Sequence, residues 1–174
     1  MKPLLLLSLL SITFLFGCSS DNESNAGTTN PPTAIGIDKL KATVSDYGDL
    51  DMQTVPVSNA ALSFIIKASL KGKNNMDSLT IALQIPKSSQ TSYMVDVSAQ
   101  NNSLIEFCLQ QASGTCITYR AYKGHGSGMI NISDITSDGA NQIMHGTFSG
   151  TLPGLSSAPG SKTIANGEFK VKLP

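Results

Sequence analysis

Residues 62–86 read LSFIIKASLKGKNNMDSLTIALQIP, and this stretch decides the fold class. Apolar residues occur at every second position on both sides of its polar centre. They are Leu62, Phe64, Ile66, Ala68 and Leu70, with Ile65 as an exception, and then Leu79, Ile81, Leu83 and Ile85. A period of two is that of a β-strand with one buried face. The Gly72–Asn75 segment predicts a turn, and Pro86 ends the second strand because proline cannot donate a ladder hydrogen bond.

The same alternation continues to the end of the chain. It is found in Ile105–Leu109, Ile117–Ala121, Met129–Ile135, Gln142–Leu152 and Lys162–Leu173. Short strands separated by polar turns indicate an all-β domain over residues 35–174, either an antiparallel β-sandwich or a partly closed barrel. No long helix is expected. Residues 35–58 are ambiguous and fit an edge strand or a short helix.

The N-terminus has the features of an export signal. Lys2 is followed by an apolar run, Leu4–Phe16, which is shorter than the roughly 20 residues of a membrane span. The run ends in Leu15-Phe16-Gly17-Cys18, which resembles the lipobox of bacterial lipoproteins. We therefore predict a signal peptide over residues 1–17 and lipid on Cys18. An ordinary secretory signal with an incidental cysteine is the alternative.

Residues 18–34 are polar, lack periodicity and contain a stiff Pro31-Pro32 step, which is typical of a flexible tether. Ser19 after the cysteine resembles the sorting choice for the outer membrane. Asp21 and Glu23 resemble the surface-export signal of Bacteroidetes lipoproteins. We expect the protein to be held at the outer membrane by its lipid, with the side that it faces left open.

The two other cysteines, Cys108 and Cys116, are predicted to form a disulfide, because an exported protein reaches a compartment that permits such bonds. Ala112-Ser113-Gly114 between them predicts a turn. A hairpin centred near Ala112 would place the cysteines directly opposite each other, at a separation that a disulfide accepts. A metal-binding pair is less favoured, since no histidine is near.

Gly124-His125-Gly126-Ser127-Gly128 is the segment most suggestive of catalysis, because histidine and serine lie close together. It lacks the glycines that flank the serine of a nucleophile elbow, and it is not a dinucleotide-binding loop. A mobile loop between strands is the simpler interpretation. The alternative is a hydrolase using His125 and Ser127 with an acid such as Asp134. His145 is interpreted as a strand-face or packing residue.

Other candidate sites are weaker. Asp46, Asp49 and Asp51 could offer carboxylate oxygens to Ca²⁺, although they do not match an EF-hand, and a solvated loop is the simpler interpretation. Three tyrosines could stack on sugars or peptides: Tyr93, Tyr119 and Tyr122. We expect no metal and no cofactor. The 12 basic residues balance 12 acidic ones, which argues against nucleic acid as a partner.

The C-terminal third resembles a known family. Its pattern is a Gly-led strand, Gly128–Thr136, then Gly146-Thr147-Phe148, and a last strand with Ile164-Ala165-Asn166-Gly167-Glu168-Phe169. This pattern is similar to the C-terminal half of DUF6252-type lipoproteins of Bacteroidetes. The resemblance implies a β-rich domain on a lipid anchor, and it implies no activity and no catalytic residues.

Taken together, the sequence predicts a lipid-anchored, non-enzymatic binding or accessory module of the cell envelope. Its partners would be the membrane, through the lipid, and an unidentified protein or glycan. The uncharacterised hydrolase using His125 and Ser127 is the alternative.

Overall fold

The structure is a computed structural model that describes residues 34–71, 78–96, 101–156 and 158–174. The predicted signal peptide, Cys18, most of the tether and the Gly72–Asn75 turn lie outside these residues. One compact unit extends from Ala34 to Pro174. The described part is all antiparallel β-structure without a helix, so the predicted fold class is confirmed. Accordingly, it holds no helix with the length and apolarity to span a membrane.

The described residues form eleven strands in one antiparallel sheet. They are β1 (Lys39–Val44), β2 (Gly48–Thr54), β3 (Ser58–Asn59), β4 (Ser63–Lys71), β5 (Ser78–Pro86), β6 (Ser92–Val95), β7 (Leu104–Gln110), β8 (Cys116–Ala121), β9 (Ser127–Asp138), β10 (Asn141–Pro153) and β11 (Ser161–Lys172). Their order is β6-β9-β10-β11-β1-β2-β4-β5-β7-β8, with β3 beside β4. The sheet curls into a nearly closed barrel. At the closure, Tyr119 of β8 bridges to Gly154 just after β10, and the Leu155 amide donates to the Thr118 carbonyl at 2.9 Å.

The core fills the inside of this barrel. Fully buried apolar side chains come from almost every strand: Leu40, Met52, Ile66, Ile81, Leu83, Ile105, Phe107, Ile130, Leu152, Phe169 and Val171. The alternation predicted for β5 is confirmed at Ile81, Leu83 and Ile85. The start of β4 differs, because the strand begins at Ser63 and Leu62, one residue outside it, is 73% exposed.

Residues 35–58 hold no helix, and apart from Ser58, where the two-residue β3 begins beside β4, they hold no edge strand, which corrects most of that expectation. They form β1 and β2 in the interior of the sheet, where β1 pairs with β11 on one side and β2 on the other. Leu40, Ala42 and Val44 face the core. Of the six buried positions in these short strands, Ala42 is small and Thr54 is polar, so each strand shows only two large apolar residues in alternation.

Two Gly-x-Phe segments pair reciprocally between β10 and β11. Gly146 lies opposite Phe169, and Phe148 lies opposite Gly167. A Cβ at Gly146 would come within 2.5 Å of Phe169 Cζ, and one at Gly167 within 2.7 Å of Phe148 Cδ1. Each glycine therefore leaves the space that the opposite ring occupies, and this complementarity fixes the register of the two strands.

A bulge in β9 changes which residues face inward. Gly146 pairs with Ile132 and His145 with Asp134, so Ser133 is left without a partner position on β10. After the bulge, Ile135 pairs with Met144, which is buried. The extra residue thus places Ile132 and Ile135 on the inner face and Asp134 on the outer face.

The β7–β8 hairpin brings Cys108 and Cys116 to disulfide distance, with their Cα atoms 5.9 Å apart. The cysteines are not directly opposite, which corrects the predicted register: Cys108 lies opposite Thr118, and Cys116 opposite Gln110. The reason is the turn, which is centred on Ser113 instead of Ala112. Its Gly114 has a φ of 84° and its amide donates to the Gln111 carbonyl at 2.9 Å, as in a three-residue loop that ends in a left-handed residue.

Candidate binding site

A cavity of about 210 Å³ opens at one end of the barrel, between the end of β5 and the β9–β10 hairpin. Its apolar lining comes from five strands: Phe64 of β4, Ile85 of β5, Tyr93 of β6, Ile132 and Ile135 of β9, and Met144 of β10. We call this space the mouth cavity. Ile135 is 53% exposed at its entrance, whereas Met144 is buried at 2%. The cavity therefore offers an apolar surface that solvent can reach.

The rim of the mouth cavity is held by hydrogen bonds of residues 87–91, the connection from β5 to β6. Lys87 Nζ donates to the Ala60 carbonyl at 2.6 Å and lies 5.2 Å from the centre of the Phe64 ring. Tyr93 Oη donates to the Gln90 carbonyl at 2.7 Å. The Ile132 amide donates to the Thr91 carbonyl at 2.7 Å, which ties the connection to β9. These bonds fix the connection against β4, β6 and β9 through the protein's own contacts, so binding would order little additional chain.

Beside the mouth cavity, Asp134, His145 and Glu168 form a row across the outer faces of β9, β10 and β11. His145 Nε2 lies 2.9 Å from Glu168 Oε1, and His145 Nδ1 lies 3.5 Å from Asp134 Oδ2. The interpretation of His145 as a strand-face residue agrees with this position. The imidazole of His145 thus lies between two carboxylates, one on each neighbouring strand. No three His, Cys, Asp or Glu side chains in the described ranges are arranged to hold a metal ion.

The residues of the hydrolase alternative are only partly brought together. Tyr122 and His125 flank a tight turn and exchange backbone hydrogen bonds of 2.8 Å, and Ser127 already belongs to β9. Residues 124–126 therefore belong to the connection between β8 and β9, as expected for a loop between strands, whereas Ser127 and Gly128 belong to β9. Asp134 lies about 23 Å farther along β9 than Ser127, at roughly 3.3 Å per residue. His125 Nε2 is buried and has no hydrogen-bond partner among the described residues.

The three acids considered for calcium have separate partners. Asp46 lies in the β1–β2 turn and its Oδ2 is 2.6 Å from Lys162 Nζ. Asp49 accepts a hydrogen bond from Thr43 Oγ1 at 2.7 Å on β2, and Asp51 lies 3.6 Å from Lys39 Nζ. The acids do not form one loop, because β2 begins at Gly48 and carries two of them on its outer face.

Lys162 lies at the end of the barrel opposite the mouth cavity. There it joins three segments that are distant in the sequence. Its Nζ lies 5.4 Å from the ring centre of Tyr47 and 5.3 Å from that of Tyr119, in addition to its contact with Asp46. The hydrogen bond that Lys162 Nζ donates to Asp46 is the main cause that raises the pKa of Lys162 above its ordinary value of 10.5, and partial burial opposes this rise. This cluster fastens the β1–β2 turn to β8 and β11.

The tyrosines proposed for stacking are mostly unavailable. Tyr93 and Tyr119 are buried in the core, and only Tyr122 is exposed, with its ring 5.3 Å from that of His125. The residues that line the mouth cavity were not identified from the sequence as a site. The one signal in the sequence was Ile135, an apolar residue out of phase with the alternation of Ile130 and Ile132.

The chain matches no known family model, and comparisons with characterised proteins and with solved structures also find no match. The resemblance to DUF6252-type lipoproteins therefore stays a prediction.

Proposed function

We propose that this protein is a non-enzymatic binding module of the bacterial cell envelope, held at the outer membrane by lipid on Cys18. In this proposal the mouth cavity receives an apolar group of a partner molecule. The preformed, solvent-reachable cavity is the observation that carries the proposal, because barrel mouths with apolar walls and a few polar rim groups are common binding sites.

The size of the mouth cavity limits the group that it can take. Pockets for drug-sized ligands measure about 300–1,000 Å³, whereas a cavity of about 150 Å³ accepts a molecule as small as benzene. The volume of about 210 Å³ is therefore suited to one apolar side chain or the end of an acyl chain. Such a site would bind one part of a larger partner instead of enclosing a whole ligand.

The proposal can be tested with N-acetyl-phenylalanine amide, which presents one apolar side chain. The full chain in lipid nanodiscs, with labelled Ile and Met methyl groups, would be titrated by NMR. We expect saturable shifts of the Met144 and Ile135 methyl signals, with a Kd of about 1 mM for so small a ligand.

Ile135→Arg should abolish these shifts, because it places a charge at the entrance. Ile37→Arg is the matched control, since Ile37 is also an exposed isoleucine and does not line the cavity. Unchanged methyl signals in the wild type up to 20-fold above the expected Kd would refute an apolar binding site at the mouth.

A further inference from the structure

Among the described residues, one edge of the β9–β10 hairpin has no neighbouring strand beside the mouth cavity. β6 pairs with β9 only over Gly128–Asn131, and the last backbone bond on that side joins Ile132 to Thr91. Beyond this point, within the part of the chain that the structure describes, Asp134–Asp138 of β9 pair with β10 alone, and Ser133 is the bulged residue. All six of these residues are exposed. An edge strand of this kind presents free amide and carbonyl groups to an incoming strand.

Because of the bulge at Ser133, the unpaired edge of β9 and the mouth cavity meet at the same residue, Ile135. Ile135 lines the cavity from the inner face of β9. A strand lying about 4.8 Å from β9 would direct the side chain opposite Ile135 to the same inner face. One residue of an added strand can therefore enter the cavity while its backbone pairs with the edge.

The charges along this edge of β9 indicate which side chains a complementary incoming strand would carry. Asp134 and Asp138 lie on the outer face of Ser133–Asp138, and this segment has no basic residue. Two copies of the edge pairing with each other would bring four carboxylates together on two segments that carry no basic residue of their own, and like charges across strands are destabilising. A partner strand with basic residues on its outer face would complement the edge instead.

We propose, on the basis of the binding function proposed above, that the partner is an extended peptide segment that adds to β9 as an antiparallel strand. Its five central residues lie opposite Asp138, Ser137, Thr136, Ile135 and Asp134, in that order. The first and the fifth are basic, the fourth is apolar, and the second and third can be any residue. The apolar residue lies opposite Ile135 and occupies the mouth cavity. The two basic residues face Asp138 and Asp134 on the outer side.

The test uses the peptide acetyl-Ser-Lys-Thr-Thr-Phe-Lys-Thr-amide with the full chain in nanodiscs. We expect it to bind at least tenfold more tightly than N-acetyl-phenylalanine amide and to shift the backbone amide signals of Ser133–Asp138. Two further peptides carry N-methyl groups on alternate residues. Because alternate amides of a strand point to opposite edges, one N-methylated peptide should bind about tenfold more weakly and the other within about twofold of the parent.

A peptide with Glu in place of both Lys residues tests the charges. It should bind about tenfold more weakly than the parent at low salt, and the difference should shrink in 0.5 M NaCl because salt screens exposed charges. Equal binding of the parent and Glu peptides at low salt would refute the basic character of the partner.

The outcomes separate the two proposals. If N-acetyl-phenylalanine amide shifts the Met144 methyl but the parent peptide binds no more tightly, strand addition is wrong and the apolar site stands. Equal effects of the two N-methylated peptides would likewise overturn strand addition. If neither the capped amino acid nor the peptide shifts the cavity signals, both proposals fail.

Discussion

Replacing Gly146 with alanine tests the interlocking of β10 and β11. The new Cβ would come within 2.5 Å of Phe169 Cζ and closer still to the backbone oxygen of Asn131. The ring can rotate away, but it is fully buried, and the oxygen belongs to β9, which pairs with β10 at this point. Neither neighbour can move without disturbing the core or the ladder.

The size of the effect follows from two opposing contributions. Alanine in place of glycine within a strand ordinarily stabilises by about 0.5–1 kcal/mol. Overpacking a well-packed core costs about 1–3 kcal/mol, and here a backbone atom is among the obstructed groups. We expect Gly146→Ala to lower the free energy of unfolding by about 2 kcal/mol. For a unit of this size, that corresponds to a fall in Tm of about 5–10 °C.

The assay is thermal unfolding followed by circular dichroism, with Gly36→Ala as the control. A Cβ at Gly36 would meet nothing closer than Lys39 Cγ at 3.7 Å, so this substitution should change Tm by less than about 2 °C. If Gly146→Ala is as stable as Gly36→Ala, or more stable, the reciprocal Gly–Phe packing does not hold β10 and β11 in register.

Three other predictions concern the anchor, the hairpin and the lysine cluster. Cys18→Ala should release the protein from the membrane fraction or block its maturation, and an unmodified Cys18 in the mature chain by mass spectrometry would refute lipidation. Thiol labelling of the unreduced protein should find neither Cys108 nor Cys116 free, and replacing both by alanine should cost about 2–3 kcal/mol in denaturant unfolding; full alkylation would exclude the bond. Lys162→Gln should destabilise by about 0.5–1 kcal/mol, since Asp46 is largely exposed and its ion pair is screened. Because the raised pKa favours the charged lysine in the folded state, the difference from wild type should persist below pH 10.5 and disappear as the pH rises further; a difference that stays constant to pH 12 would contradict this.

The fold class could be predicted from the sequence because most strands bury one face, which produces an alternation of apolar and polar residues. In β5 the alternation of Ile81, Leu83 and Ile85 is clear and the structure confirms it. The order of the strands was not readable, because it depends on contacts between distant segments. β1 pairs with β11, and nothing in Lys39–Val44 alone identifies that partner.

The candidate site could not be predicted because its parts are separated in the chain and ordinary in type. Phe64, Ile85 and Met144 each look like core residues in a strand. Their association at an open end depends on the curl of the sheet and on the bulge at Ser133, and a bulge leaves little trace in a sequence without relatives for comparison. The cysteine pair was found, but its register was wrong by one position at the turn, since Gly114 set the length of the loop.

Because β1 pairs with β11, the sheet cannot close around β1 until the C-terminal strand has been synthesised. Synthesis runs from the N-terminus, so β1 has only β2 as a neighbour until Ser161 and the residues after it have emerged. A premature stop before Ser161 would remove a strand from the middle of the sheet and not from its border. The edges of β1 and β10 would then both lack a partner strand, so we expect such a chain to aggregate through these unpaired edges. Loss of a strand from the border of the sheet would only shorten the sheet.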